Sequence, residues 1–107
     1  MLGSDTVSHI CLNAMTKELR SRITVLCPPP TSNPKTPLSL FHQYVKDSKI
    51  PIIPFKGDWN CVSNDFKISF VASFGHMVPD HFIDKFDLGM YVMHPSLLPK
   101  YRGACPI

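Results

Sequence analysis

The segment Ile23-Thr24-Val25-Leu26-Cys27 restricts the fold more than any other stretch of this chain, because it is short, apolar or β-branched throughout, and halted by Pro28-Pro29-Pro30. A continuous run of this kind fits a strand buried on both faces of a parallel sheet. The prolines that follow lack the amide hydrogens that ladder pairing needs. Helical and strand-like segments alternate around it. Ser4 and Asp5 are good helix caps, and Val7, Ile10, Cys11, Ala14 and Leu19 recur near one helical face, predicting a helix from Thr6 to Arg20. Thr31 to Lys35 reads as loop. Thr36-Pro37 reads as a cap followed by proline at the first helical position, with Leu38, Phe41 and Val45 as the apolar stripe of a second helix ending near Ser48. Ile50 to Ile53, interrupted by Pro51 and closed by Pro54, predicts an edge strand. Lys67 to Ser73 is the strongest strand, with Gly75 beyond it, and Gly57 to Asn64 is a polar stretch in which Trp59 has no evident role. Asp80 to Phe86 offers one or two helical turns with Phe82, Ile83 and Phe86 inward, and Gly89 restarts the chain into a strand over Met90 to Met93. Met1-Leu2 reads as the stub of an earlier strand, and the tail from His94 is loop-rich.

This alternation predicts an α/β fold with a mainly parallel sheet, and 107 residues hold a single small domain. A composition of 44% hydrophobic and 18% charged residues excludes wholesale disorder. No apolar run approaches the roughly 18 residues of a membrane span, so no membrane partner is expected. The net charge of +3 comes from scattered lysines and arginines rather than a basic stripe. Cys11, Cys27, Cys61 and Cys105 form no C-x-x-C pair and stand at no zinc-finger offset from a histidine, so free thiols in a reducing compartment are expected. The first residues carry an early acid and no basic, apolar targeting pattern.

In parallel sheets ligands bind beyond the carboxyl ends of the strands. The residues to inspect there are Gly3-Ser4-Asp5, Cys27-Pro28, Phe74-Gly75-His76 and His94-Pro95-Ser96. Gly3-Ser4-Asp5 reads either as a turn presenting helix N-terminal amides to an anion or as a helix cap and nothing more. No G-x-G-x-x-G fingerprint, P-loop, nucleophile elbow or carboxylate pair occurs. His9, His42 and His81 sit within predicted helices and read as surface or half-buried side chains. His94 directly follows a predicted buried strand, where an imidazole can serve as acid, base or oxyanion stabiliser.

The segment His94-Pro95-Ser96-Leu97-Leu98-Pro99-Lys100-Tyr101-Arg102-Gly103-Ala104-Cys105-Pro106-Ile107 resembles the H-x-S-L-L-P signature of the folate-dependent formyltransferases and its continuation. Val71-Ala72-Ser73-Phe74-Gly75 followed by His76-Met77-Val78-Pro79 is similar to that family's strand and folate-pocket loop, and Leu2 to Asp5 to the end of its first strand. The resemblance implies a Rossmann-like sheet, residues 1–107 forming part of a catalytic N-terminal domain. It also implies transfer of a formyl group from 10-formyltetrahydrofolate to an amine. The Gly103 to Ile107 continuation resembles the branch whose substrate is methionine esterified to initiator tRNA, making folate and that methionyl-tRNA the expected partners of a monomer. Carried over by motif, His94 is the catalytic histidine, Ser96, Leu97, Leu98 and Pro99 shape the site, and His76, Met77, Val78 and Ile83 lie against the pterin ring. No metal is expected.

Two departures accompany the resemblance. Val92 stands where the family has asparagine, an amide donor to the oxyanion, and the family's catalytic aspartate lies beyond the segment matched here. The chain is therefore expected to be a truncated form, inactive in isolation. The alternatives are a folate-binding remnant without turnover and a formyltransferase acting on another amine, glycinamide ribonucleotide or a UDP-amino sugar. The short loop after Pro28-Pro29-Pro30 resembles mitochondrial members, so mitochondrial location is expected, with a cytoplasmic one as the alternative.

Overall fold

The computed structural model describes residues 1–15, 17–30, 39–93 and 100. Its strands are β1 (Leu2–Gly3), β2 (Val25–Cys27), β3 (Ile52–Pro54), β4 (Ser69–Ala72) and β5 (Met90–Met93), and its helices are α1 (Thr6–Ala14), α2 (Lys17–Arg20), α3 (Leu40–Asp47) and α4 (Asp80–Ile83). The strands form one parallel sheet in the order β3-β2-β1-β4-β5, an α/β, Rossmann-like arrangement. The register sets Leu2 against both Leu26 and Val71, and Val71 against Val92.

Side-chain alternation along β2 divides the core in two. Val25 and Cys27 point to one face, where Leu12 of α1, Phe41 and Val45 of α3, and Ile50 cover them. Leu26 joins Leu2 and Val71 on the other face, beneath Phe55, Val62, Phe74, Phe82 and Phe86. Both faces of β2 are buried, as its continuous apolar run predicts. β3 lies at the sheet edge, in keeping with Pro51 before it and Pro54 at its end; with no N–H at Pro54, pairing with Cys27 continues through the Phe55 amide, which donates to the Cys27 carbonyl at 2.8 Å.

Several boundaries differ from the sequence expectation. The single helix from Thr6 to Arg20 is two, since α1 closes at Met15, whose extended backbone (ψ 146°) ends the helical path. The Val7, Ile10 and Leu19 stripe does not face the core; Ile10 is 64% exposed, and α1 buries Ser8 and Leu12 instead. The cause is a close approach at the helix start. A side chain on Gly3 would put its Cβ 2.5 Å from Ser8 Oγ, so only glycine lets α1 sit this low on the sheet. Ser8 then donates to the Ala72 carbonyl of β4 and accepts from the Ser4 amide at 2.9 Å, which fixes the rotation of the helix.

The cap expected at Thr36-Pro37 and the loop from Thr31 lie outside the described residues; α3 is capped by Ser39, whose Oγ accepts from the His42 amide at 3.2 Å. Its other end is a Schellman closure. The Ile50 amide donates to Val45 O at 3.2 Å and the Lys49 amide to Lys46 O at 3.1 Å, with Lys49 left-handed at φ 57°. β2 and β4 are shorter than the runs that mark them, β3 runs from Ile52 to Pro54, and α4 ends at Ile83.

Two buried serines distinguish a satisfied polar group from an unsatisfied one. Ser8 is fully hydrogen-bonded, whereas Ser69 Oγ in β4 is buried with no partner among the described residues. Ser8→Ala strips partners from the Ala72 carbonyl and the Ser4 amide and is expected to cost about 1–3 kcal/mol, while Ser69→Ala is expected to be neutral or stabilising. Phe41→Ala, which empties a fully buried site, is expected to cost about 3–5 kcal/mol. Urea unfolding followed by circular dichroism checks all three, and equal losses from the two serines would contradict this account.

Candidate active site

The chain places β2 and β3 on one side of β1 and then crosses to β4 and β5 on the other, so sheet order reverses between β1 and β4. The crevice at such a reversal is where open α/β sheets take their ligands. Here it is framed by the turn after β1 and the loop after β4. Asp5 Oδ1 accepts from the Val7 and Ser8 amides at 3.0 and 3.3 Å, so the amides of the first turn of α1 are satisfied by a carboxylate of the chain itself. That arrangement is a helix cap, the second of the two readings of Gly3-Ser4-Asp5. The other oxygen of Asp5 accepts from the Ser73 hydroxyl, and Ser4 Oγ donates to Ser73 O at 2.7 Å.

These bonds hold Ser73 in a left-handed conformation, φ 53°, which non-glycine residues adopt at a cost. Gly75 is left-handed too, at φ 84°. Two such steps within three residues turn the chain sharply out of β4. Phe74 folds inward and is buried, and His76 and Met77 are delivered to the surface. The His76 ring packs against Phe55 and Phe74 at centroid distances of 5.0 and 5.2 Å. Met77 is 84% exposed, while Val78 rests on the core. Ile83 is half-buried on α4. The loop after β4 therefore groups His76, Met77 and Val78, with Ile83 on the helix that follows. His94, Ser96, Leu97, Leu98 and Pro99 lie outside the described residues; β5 ends at Met93, immediately before His94 in sequence.

Trp59, unassigned from sequence, supports this corner. Its ring lies 4.6 Å from Phe55, 4.8 Å from Phe82 and 6.0 Å from Phe74, forming an aromatic bed on whose Phe55 and Phe74 the His76 ring also rests. The aromatic spacing around residue 59 is long-range and leaves no periodic signal in the sequence.

A second polar arrangement closes the carboxyl ends of β2 and β3. His42 Nε2 lies 2.8 Å from the Pro28 carbonyl, which only accepts, so Nε2 carries hydrogen, and Nδ1 is hydrogen-bonded with Ser39 Oγ at 2.7 Å. Cys27 Sγ, 3.7 Å from Nε2, faces a donor and not a base. Burial pushes its thiol up to about 11 from 9.0, so it is a neutral core side chain and not a nucleophile. Cys27, Pro28 to Pro30, His42 and Lys46 border an apolar cavity of about 270 Å³. The half-buried reading of His42 agrees with this geometry. Among the described residues no group of three His, Cys, Asp or Glu is arranged to hold a metal ion, and no helix is long and apolar enough to cross a membrane.

Both the β4 loop and the motif after β5 fall within a segment that has a family of its own. Residues 62–107 match the formyl transferase family. Across 100 residues the chain is 33% identical to the mitochondrial methionyl-tRNA formyltransferase of Bos taurus, an overlap of 92% of this chain and 24% of that protein. The human mitochondrial methionyl-tRNA formyltransferase is 31% identical over 113 residues, 98% of this chain and 27% of the relative. A bacterial methionyl-tRNA formyltransferase, from Pseudothermotoga lettingae, is 39% identical over 74 residues, covering 65% of this chain and 24% of its own length. The chain thus spans about a quarter of the length of the curated relatives it matches. No solved structure matches it.

The Cys27 thiol makes stability fall in alkali. Above 9.0 the unfolded chain gives up this proton while the folded chain keeps it until about 11, so the folded state binds more protons across that window and loses stability as pH rises. Urea midpoints between pH 8 and 11 are expected to fall less steeply in Cys27→Ala than in the unsubstituted chain, and parallel slopes would contradict the assignment.

Proposed function

We propose that the chain forms part of the catalytic domain of a folate-dependent transferase, residues 1–107, moving a formyl group from 10-formyltetrahydrofolate to the α-amino group of methionyl-tRNA. The observation that carries this reading is the family match over residues 62–107, which holds the His76-Met77-Val78 loop and the His94-Pro95-Ser96-Leu97-Leu98-Pro99 motif together. The loop suits a flat heteroaromatic donor, because it leaves an apolar Met77 outside the core beside an imidazole already packed on aromatic rings. In this reading His76, Met77, Val78 and Ile83 receive the pterin, and Ser96 to Pro99 shape the space for the formyl group.

The chemistry asked of the chain is acyl transfer. The amine nitrogen attacks the formyl carbon, negative charge grows on the formyl oxygen, and a protonated His94 imidazole donates to it. Collapse breaks the carbon–nitrogen bond to the folate, whose nitrogen takes the proton the amine surrenders. No metal takes part. Initiator methionyl-tRNA is the acceptor, the working form is a monomer, and the mitochondrial relatives support mitochondrial translation initiation as its setting.

Val92 favours a second reading, a domain that binds folate without turnover, since valine supplies no donor to the oxyanion. Trp59 is the only tryptophan and sits in the aromatic bed beneath the loop, so its fluorescence reports on the donor site. A non-transferable folate analogue is expected to change that fluorescence saturably, and Met77→Asp to weaken the effect. With 10-formyltetrahydrofolate and methionyl-tRNA, tested in a longer protein that carries this chain as part of its catalytic domain, His94→Ala is expected to lower transfer, and Val92→Asn to raise it, each by about 100- to 1,000-fold. Binding without transfer in both the unsubstituted chain and Val92→Asn establishes the second reading, and absence of binding overturns both.

A further inference from the structure

The far end of the sheet, where the strands begin, carries a feature the transfer reaction does not use. A cleft of about 320 Å³ is lined by Lys17 and Arg20 of α2 and by Lys49 just past α3, with Ser21, Ser48, Ile50 and Pro51 completing its wall. Three cations from two separate elements face one concavity in a chain whose other basic residues are scattered. Asp47 and Glu18 are their sequence neighbours but do not line it.

Two observations indicate that this clustering is built. First, Arg20 is positioned: its Nη1 donates to Tyr44 Oη at 2.9 Å, and Tyr44 in turn donates to Asn13 Oδ1 at 3.2 Å. Its Nε is buried, yet has no hydrogen-bond partner among the described residues. A guanidinium held at one nitrogen with another donor unspent leaves a polar group without the partner that buried donors normally find. Secondly, Lys49 occupies the left-handed closing position of α3, φ 57°, where glycine is the usual residue. A lysine kept in a strained conformation at the border of the cleft has a use outside the helix closure. Helix polarity does not supply that use, since Lys46 already lies in the last turn of α3 and Lys49 lies beyond it.

We propose that this cleft binds a phosphoryl group carrying two negative charges, as inorganic phosphate or as the phosphate of a small monoester. Such a group matches both the charge of the three cations and the fork of a guanidinium. The site lies at the strand starts, opposite the donor loop, so it stands or falls independently of the proposed transfer.

Equilibrium dialysis of the 107-residue chain against radiolabelled inorganic phosphate, at constant ionic strength set with chloride, tests this directly. Saturable binding at one site is expected, and a small phosphomonoester is expected to compete if the cleft admits a substituent. Lys49→Gly is the decisive variant, because glycine adopts φ 57° more readily than lysine and the helix closure survives. It is expected to retain or raise the unfolding midpoint while weakening phosphate binding about fivefold, the effect of one partly exposed charge. Lys17→Gln is expected to weaken binding similarly. Undiminished binding by Lys49→Gly, absence of saturable binding, or binding confined to oligonucleotide phosphodiesters would overturn the proposal.

Discussion

The contact between Gly3 and Ser8 sets the geometry of the whole sheet-helix assembly. Because residue 3 has no side chain, the first turn of α1 descends until the Ser8 hydroxyl reaches the Ala72 carbonyl, tying β1, α1 and β4 together at one point. β1 is only two residues long, yet it is the central strand, paired to β2 on one side and β4 on the other. Two residues of ladder hold little by themselves. The buried serine bond and the Leu2 contact with Leu26 and Val71 hold the two halves of the sheet in register.

The same contact explains what the sequence conceals. Periodicity places Val7, Ile10 and Leu19 on the apolar face of α1, but the helix is rotated by a serine and a glycine, residues without hydrophobic weight. Where burial alone decides, sequence reading succeeds. β2 is buried on both faces and the proline-flanked β3 is an edge, whereas β5 spans the four residues expected but is largely exposed, not the buried strand anticipated before His94. Where a polar contact or long-range packing decides, it fails. Trp59 and the aromatic bed under His76 join residues 55, 59, 74 and 82 from four segments, and no local pattern announces such a set.

At the candidate site, the loop residues could be singled out in the sequence, whereas the geometry that supports them could not. Gly75 announces a turn, and His76 to Val78 stand out once the motif beyond β5 is recognised. What turns the loop outward is Ser73, a residue that would ordinarily avoid φ 53° and is held there by Ser4 and Asp5 at the end of the neighbouring strand β1. The helix cap thus has a second task. The carboxylate that satisfies the first turn of α1 also braces the loop after β4, so the two strand ends flanking the crevice are tied together. A positioned loop reduces the ordering that a bound ligand would otherwise have to impose.

The sheet is covered unevenly, and this bears on Val92. Phe82 and Phe86 pack over the β1–β4 region on one face, whereas on the other α1 and α3 cover β2 and leave an apolar groove between α1 and the β4–β5 pair. Phe70, Tyr91, Val92 and Met93 remain substantially exposed around it, with the Phe70 and Tyr91 rings 6.0 Å apart. Val92, aligned with buried Val71 but 62% exposed itself, therefore contributes little burial to this core. Stability gives no reason for valine over a polar residue at that place. Under the proposed transfer, a substitution there is judged by what the position offers at the end of β5, one residue short of Met93 and two short of His94, where a branched hydrocarbon offers strand propensity and no hydrogen bond.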